Sequence, residues 1–497
     1  MKQKNRSILL KKNKTKIRSV KFNAVMNMVL SSSSLLFPVI SIPYVSRVLN
    51  PAGMGSVTFV QSVATYFSLF ALLGVSTYGV RSCAQVRDDR SALSKLVEEL
   101  VIILCCSTTL VFIVYLGCLF LIPKFKADFS LFLIFGVAIW LASFGVEWFY
   151  QAIEQYEYIT IRSICFKFIG LFLMFALVRS SDDYCVYGGI VVFTGYGANI
   201  LNMIRLMSFV SPQPLSTLNP KRHIKPMLSF FVSSVSSGIY SQADIVLLGL
   251  ITNPASVGLY QIVAKIKNIL VLMINSVVNV MLPRLSYYIK KDQKKYYSLL
   301  IKNLYFILFL GSAGIMYTAL CSKQIIALLG GDQYKASARA LLFILPSLLF
   351  VSLNTVFSQF LISIGKDKEY AFTNVCGIFF SIIYCLMLVP HLGIIGAAAS
   401  CSLCELSTLI IRLFFSKDFF IKYVIKMRLF SAPLSSILAF ICTLLLCLKF
   451  QALDALYYII LIGCIYFLFY FIFLFILKDV VVINFVSRFN FPFGKHS

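Results

Sequence analysis

The chain has 497 residues, 59% of them hydrophobic and only 13% charged, with a mean hydropathy of +0.88. Its apolar runs of about 20 residues can cross a hydrocarbon core of roughly 30 Å and are too long and continuous for barrel strands, which excludes a soluble globular protein. The formal charge of +26 reads as the Lys and Arg excess of cytoplasmic loops, so no nucleic-acid partner is expected.

Residues 1–21 form a basic cytoplasmic tail that includes Lys2, Lys4, Arg6, Lys11, Lys12 and Arg18. The tail leads directly into a full-length span without a small-residue cleavage site, so no cleavable signal peptide is expected. Six apolar spans follow, near 22–48, 55–80, 95–122, 129–150, 160–179 and 184–207, giving a lobe over 22–210. A polar cytoplasmic linker at 211–226 precedes six more spans within a lobe at 227–416. Two additional spans fall within 431–477, before a tail at 478–497. The fold class is therefore an all-α polytopic membrane protein with about 14 spans and both termini cytoplasmic. With that orientation, a count puts about 34 of the 45 Lys and Arg residues on the cytoplasmic side, among them Arg81, Arg87, Arg90, Lys221, Lys225, Lys294, Lys422, Lys426 and Arg428.

A repeat organises these spans. Asn50-Pro51-Ala52-Gly53-Met54-Gly55 returns as Asn253-Pro254-Ala255-Ser256-Val257-Gly258 at an offset of 203 residues. Both copies join the first and second spans of a six-span block, and an offset of six spans preserves direction. The two lobes are thus expected to be parallel repeats about an axis along the membrane normal. Gly53, Gly55 and Gly258 are candidate hinge positions. Pro38 and Pro43 interrupt the first span and are candidates for bending it as a gate.

Ionisable residues inside spans are costly and mark function. Asp244 lies about eight residues before the second Asn-Pro-Ala connection, and Lys265 and Lys267 lie shortly after it. In an antiparallel hairpin this puts Asp244 and Lys265 at a similar depth, about 10–12 Å from the outer end, so they are expected to pair. The pair is either structural or a coupling element that breaks between states. Lys265 and Lys267 are two residues apart and cannot share one helix face, so one lines a cavity while the other packs or snorkels. Arg47 either snorkels outward or offers its fork to a phosphate. Glu147 and Gln151 share a helical face and are candidates for a cytoplasmic entrance. Trp148, Phe149, Tyr150, Tyr156 and Tyr158 beside them fit an interfacial aromatic belt. Glu405 is a further acid within a span, with a nearby polar group or Arg412 as its partner.

No chemistry of the catalytic kind is legible. Fourteen cysteines show no metal-ligand spacing and read as small buried hydrophobes. Three histidines lie in connections or the tail, and no phosphate-cradling Gly-rich loop is present. The expectation is a secondary transporter with no cofactor, no metal and no enzymatic activity.

The stretches FPVISIPYVSRVLNPAGMGSVTFVQS (37–62), STYGVRSCAQVRDD (76–89), EWFYQAIEQYEYITIRS (147–163) and QADIVLLGL with VGLYQIVAKI resemble bacterial polysaccharide (O-antigen-type) flippases. These belong to the multidrug/oligosaccharidyl-lipid/polysaccharide exporter superfamily, which shares a fold with the MATE multidrug exporters. The resemblance covers the first twelve spans. It implies two six-helix lobes and alternating access in the bacterial cytoplasmic (inner) membrane. It further implies flipping of undecaprenyl-pyrophosphate-linked glycan from the inner to the outer leaflet, coupling in some members to H+ or Na+, and a place beside a polysaccharide polymerase. Arg47, Lys265, Lys267 and Glu147 carry over as cavity candidates and Asp244 as the coupling or ion-pair candidate. Cations against few acids favour an anionic substrate. The alternatives are a MATE-type multidrug exporter, which predicts drug susceptibility on deletion, and a non-transporting scaffold for glycan assembly.

Overall fold

The computed structural model describes residues 19–421, 430–447 and 454–479, and every regular element among them is helical. The expectations for most of the basic tail, for Lys422, Lys426 and Arg428, and for nearly all of the C-terminal tail lie outside the described residues. Helices of six or more residues are numbered here in chain order. They are α1 (Val20–Leu72), α2 (Val75–Val86), α3 (Arg90–Leu121), α4 (Phe129–Ser143), α5 (Glu147–Ala152), α6 (Tyr156–Leu177), α7 (Tyr184–Val192) and α8 (Ala198–Leu206). A single π turn, Phe193–Gly197, joins the last two. There follow α9 (Lys221–Ile251), α10 (Pro254–Lys291), α11 (Gln293–Leu320), α12 (Ser322–Gly330), α13 (Ser337–Ser363), α14 (Asp367–Leu392), α15 (Ile394–Phe415), α16 (Ser431–Cys447) and α17 (Ala455–Ile476).

Twelve helical stretches among the described residues are long and apolar enough to cross a membrane. The first of them, Phe22–Val86, is 65 residues long, far more than one crossing needs. It turns at Asn50, whose φ of 56° is the one non-helical conformation inside α1. Ser431–Cys447, expected as a span, is apolar but shorter than the rest. These two features account for the difference between twelve long apolar stretches and about fourteen expected spans.

The chain forms two compact units. One comprises the described residues up to Ser41 with Val63–Arg179 and Cys185–Val235; the other comprises Ile42–Ser62, Ser180–Tyr184 and the described residues from Ser236 onward. The first unit is packed around aromatic side chains. Trp148, Phe149 and Tyr150 are all buried, so they do not form the interfacial belt expected of them. The Trp148 ring lies over Gly79, where a Cβ would approach its ring carbon to 2.6 Å, and the Tyr150 hydroxyl donates to the Asn202 carbonyl at 2.8 Å. Glycine is needed at position 79 because only a bare Cα leaves room for the indole.

The polar linker belongs to this unit. Fully buried Glu99 accepts hydrogen bonds from the Asn219 amide at 2.7 Å and the Arg222 guanidinium at 2.6 Å, and it bonds the His223 imidazole at 2.7 Å. His223 reaches the Tyr78 hydroxyl through its other ring nitrogen at 2.7 Å. One carboxylate thus ties three elements together, which satisfies groups that would be costly to bury alone.

In the second unit, burial is the reverse of what a water-soluble protein shows. Along α17, Tyr458, Ile462, Tyr466, Tyr470 and Leu474 are buried, while Ile460, Phe467, Phe471 and Phe475 face outward. The buried stripe has a spacing of four and carries the hydroxyls of Tyr458, Tyr466 and Tyr470, whereas Tyr457 faces outward. Tyr466 bonds Ser436 at 2.7 Å, and Tyr470 donates to the Phe309 carbonyl at 2.9 Å. Polar tips turned inward and bare hydrocarbon turned outward suit a lipid surround.

Candidate functional site

Both Asn-Pro-Ala connections are built by the same local chemistry. Asn50 Oδ1 accepts from the amides of Ala52 at 3.0 Å and Gly53 at 3.2 Å. Asn253 Oδ1 accepts from Ser256 N at 2.9 Å, with Pro254 at the start of α10. In each case asparagine caps the first turn, and proline occupies a position whose missing amide has no intrahelical partner to lose. The final glycine of each motif serves the other motif. A Cβ on Gly55 would fall 1.7 Å from the Pro254 carbonyl oxygen, and one on Gly258 would fall 1.9 Å from that of Pro51. Since Pro51 and Pro254, like Gly55 and Gly258, are 203 residues apart, the contact is reciprocal, as a local twofold requires. Gly53 has ordinary room, with Tyr184 Cβ 3.3 Å from its virtual Cβ.

The first helix passes through Pro38 and Pro43 with helical dihedrals and breaks only at Asn50. A turn at Asn50 follows from the cap just described, and neither proline bends the backbone out of the helical region.

Arg47 donates to the Leu328 carbonyl at 2.9 Å, and Ser46 donates to the Leu329 carbonyl at 2.7 Å. These carbonyls belong to the last turn of α12, which has no further amides to satisfy them, and a cation is favoured there by the helix dipole. The guanidinium is thus occupied as a helix cap.

Deeper in the second unit, α9, α10, α13, α14 and α15 enclose a cavity of about 320 Å³. Its lining includes Tyr240, Gln242, Asp244, Lys267, Cys401 and Glu405. Asp244 accepts from the buried Tyr260 hydroxyl and from the Ile245 amide. The expected Asp244–Lys265 ion pair is not what forms, because Lys265 is absent from the cavity lining and tyrosine holds the carboxylate. Lys267, two residues further along α10, is the lysine that lines the cavity with Asp244. Lys267 is the cation of this cavity. It contacts Cys401 Sγ at 3.4 Å and is near enough to Asp244 and Glu405 to feel both charges. Glu405 accepts from Asn354 at 2.8 Å and from Tyr240. Arg412 instead donates to Asn374 at 2.8 Å and to the Asn354 carbonyl at 3.3 Å. The cavity therefore brings together two carboxylates and one ammonium, of which sequence reasoning named Asp244 and Lys267 as candidates and treated Glu405 as structural. The signal that could have found Glu405 was its position within an apolar span.

In the first unit, Glu147 pairs with Arg162 at 2.5 Å, and Arg162 also donates to the Ala198 carbonyl at 3.2 Å. Arg162 is 6% exposed, so Glu147 serves a buried cation. Lys167, on α6, donates to the hydroxyls of Ser33 at 2.9 Å and Ser34 at 2.8 Å. Neither Arg162 nor Lys167 was among the sequence candidates. Among the described residues, no group of three or more His, Cys, Asp or Glu side chains is placed to hold a metal ion.

The profile of a family described as "Polysaccharide biosynthesis protein" matches residues 20–289, and that of the MatE family matches residues 230–387. The chain is 23% identical over 385 residues to the "Putative O-antigen transporter" of Escherichia coli (strain K12), covering 76% of this chain and 92% of the relative. Among solved structures it is similar to a lipid II flippase, MurJ, in an inward closed conformation. That likeness has a TM-score of 0.71 at 16% identity and covers 92% of this chain and all of the other. It is also similar to an inward-facing MATE multidrug transporter, with a TM-score of 0.61 at 13% identity, covering 79% of this chain and 96% of the other.

Proposed function

Since the chain belongs to the polysaccharide biosynthesis protein family, we propose that it is a secondary transporter flipping undecaprenyl-pyrophosphate-linked oligosaccharide across the bacterial cytoplasmic membrane. The substrate moves from the inner to the outer leaflet by alternating access. The observation that carries this reading is that the matched region, 20–289, contains both Asn-Pro-Ala hairpins and the Asp244 and Lys267 positions of the polar cavity. The reciprocal glycine contact between the hairpins is the closed gate on the outer side. Parting it exposes the pathway to the outer leaflet.

With both acids ionised and Lys267 protonated, the cavity carries one net negative charge. In a low-dielectric surround that charge calls for one further cation, a proton or Na+, whose binding and release drive the cycle. Asp244 is the coupling group, and Lys267 is the resident counter-charge that keeps the site tolerable between cations. Arg47, Lys265 and Glu147 act at a distance from this step, as a helix cap, a packing cation and the partner of Arg162.

Deleting the gene from a strain with no redundant flippase, then restoring wild type or Asp244→Asn, tests the reading. Accumulation of cytoplasmic lipid-linked repeat units, relieved by wild type and not by Asp244→Asn at equal membrane abundance, is the expected result. Unchanged surface polysaccharide with no accumulated intermediate contradicts it. A second reading, cation-coupled drug export, draws on the MatE match over residues 230–387 and on the two cavity acids. It predicts drug susceptibility with normal glycan in the same strain.

A further inference from the structure

The cytoplasmic end of the α10–α11 hairpin carries a second concavity, distinct from the Asp244 cavity. The apolar run of α10 continues past Ser276 through Val277, Val278, Val280, Met281 and Leu282, and beyond it the helix extends to Lys291, about 14 Å at 1.5 Å per residue. Helix α11 begins at Gln293, just past Asp292, and packs back along α10, so the polar ends of the two helices form a short stalk beyond their apolar runs. Between them lies a cavity of about 660 Å³ lined by Arg284, Tyr287, Tyr288, Lys295, Ser298, Leu299 and Lys302. Among the described residues its walls hold three cations and three hydroxyls and no acid.

The surrounding charges sharpen this. Asp292, at the turn, is the acid at the stalk's tip. It is engaged as the N-cap of α11, accepting from Lys295 N at 3.1 Å and pairing with Lys295 Nζ at 3.3 Å. That amide and ammonium hold its carboxyl below the usual carboxylate range. Lys291 lies outside the lining, over the Tyr287 ring at 4.7 Å and against its hydroxyl at 3.0 Å. Lys295 approaches the Tyr288 ring at 5.8 Å. Arg284 and Lys302 face the cavity with no acid in its lining.

We propose that this stalk pocket binds a phosphate-bearing lipid headgroup in the inner leaflet, and that its occupant is the diphosphate of the lipid-linked substrate before it enters the transport pathway. The assignment rests on the flippase reading above. Three cations with tyrosine and serine hydroxyls match a group carrying two adjacent phosphates better than one. The position, on a stalk beyond the apolar runs, lets the lipid tail stay in the bilayer while the diphosphate is held. Arg284 supplies the fork, Lys302 the charge nearest the hydrocarbon, and Tyr287 and Tyr288 the walls.

The test uses the full chain in nanodiscs and compares wild type, Arg284→Ala/Lys302→Ala and the charge-retaining Arg284→Lys/Lys302→Arg. Binding is read by native mass spectrometry for undecaprenyl pyrophosphate and, separately, for phosphatidylglycerol. Loss of undecaprenyl pyrophosphate affinity by about tenfold or more in the alanine variant, recovery in the charge-retaining variant and little change for phosphatidylglycerol support the proposal. Equal affinity in all three proteins overturns it, and so does a parallel loss for both lipids, which marks a general anionic-lipid contact. Glycan export by the wild-type protein, measured alongside, separates the two readings. Export that persists while the alanine variant binds normally removes the pocket alone. Pocket-dependent diphosphate binding without any export removes the flippase reading and leaves the pocket.

Discussion

The two units handle charge inside the membrane differently. In the first, Arg162 meets Glu147 and a backbone carbonyl, and Lys167 rests on two serine hydroxyls, so each cation has a local partner set. In the second, Asp244, Lys267 and Glu405 gather around one cavity, with Tyr260 donating to Asp244 and Asn354 to Glu405. Both repeated hairpins lie in the second unit, and a further contrast runs between the two halves of the sequence. The backbone device at Asn50 and Asn253 is the same, but positions equivalent to Asp244 and Lys265 in the first half are Ser41 and Ser62. The scaffold is shared while charge is unequal, and the coupling role proposed for Asp244 draws on that inequality.

The strongest way to break this comparison is Lys267→Met. It leaves two carboxylates without their cation, a loss of about 3–5 kcal/mol for a buried set, reduced where the cavity is open. Export should fall severely, and thermal stability in detergent should drop. Adding Asp244→Asn to it should recover stability and leave export low. If the double variant is no more stable than the single, the two side chains do not share a site.

Next comes the place where the halves are alike. Gly258→Ala puts a methyl on the Pro51 carbonyl and Gly55→Ala one on the Pro254 carbonyl. Each should cost the hairpin contact about 3 kcal/mol, at the upper end for overpacking. Cysteines placed beside the hairpins should then react faster with a membrane-impermeant thiol reagent. Unaltered labelling would show that the contact is not tight.

Much of this was legible in the sequence. Hydropathy marked the spans, and the six-residue motif marked the repeat, because both are properties of neighbouring residues. The partners of buried polar groups were less legible. Rise per residue placed Asp244 and Lys265 at one depth but said nothing of azimuth, so Tyr260 was missed as the group that holds Asp244. Hydropathy also does not separate a lipid-facing aromatic from a core one, which is why Trp148, Phe149 and Tyr150 were read as a belt. The pairing of Glu147 with Arg162 depends on how α5 turns after Val146, whose φ of 36° no local pattern announces.

A smaller effect is expected in the first unit. Glu147→Gln leaves Arg162 with the Ala198 carbonyl, and because the Glu147 side chain is 44% exposed the loss should be near 1.5 kcal/mol, at the low end for hydrogen bonds to charged groups. Denaturation midpoints would report it, with export changed little. A severe export defect at full stability would move a transport role into the first unit. The smallest effect should be Arg47→Ala, about 0.5 kcal/mol from an exposed helix-end contact. Its export should match wild type, and a clear export loss would assign Arg47 to the substrate path.

The most direct test of the central claim is flipping itself. Undecaprenyl-pyrophosphate-linked oligosaccharide, carrying a fluorophore on the glycan, is loaded into proteoliposomes, and its appearance on the far leaflet is followed by quenching under an imposed proton or Na+ gradient. Wild type should move the lipid, and faster with one of the gradients than with none. Asp244→Asn should lose that gradient dependence at equal protein content. Wild-type vesicles that move no glycan lipid under either gradient, or an Asp244→Asn variant with undiminished gradient-driven flipping, would contradict the account.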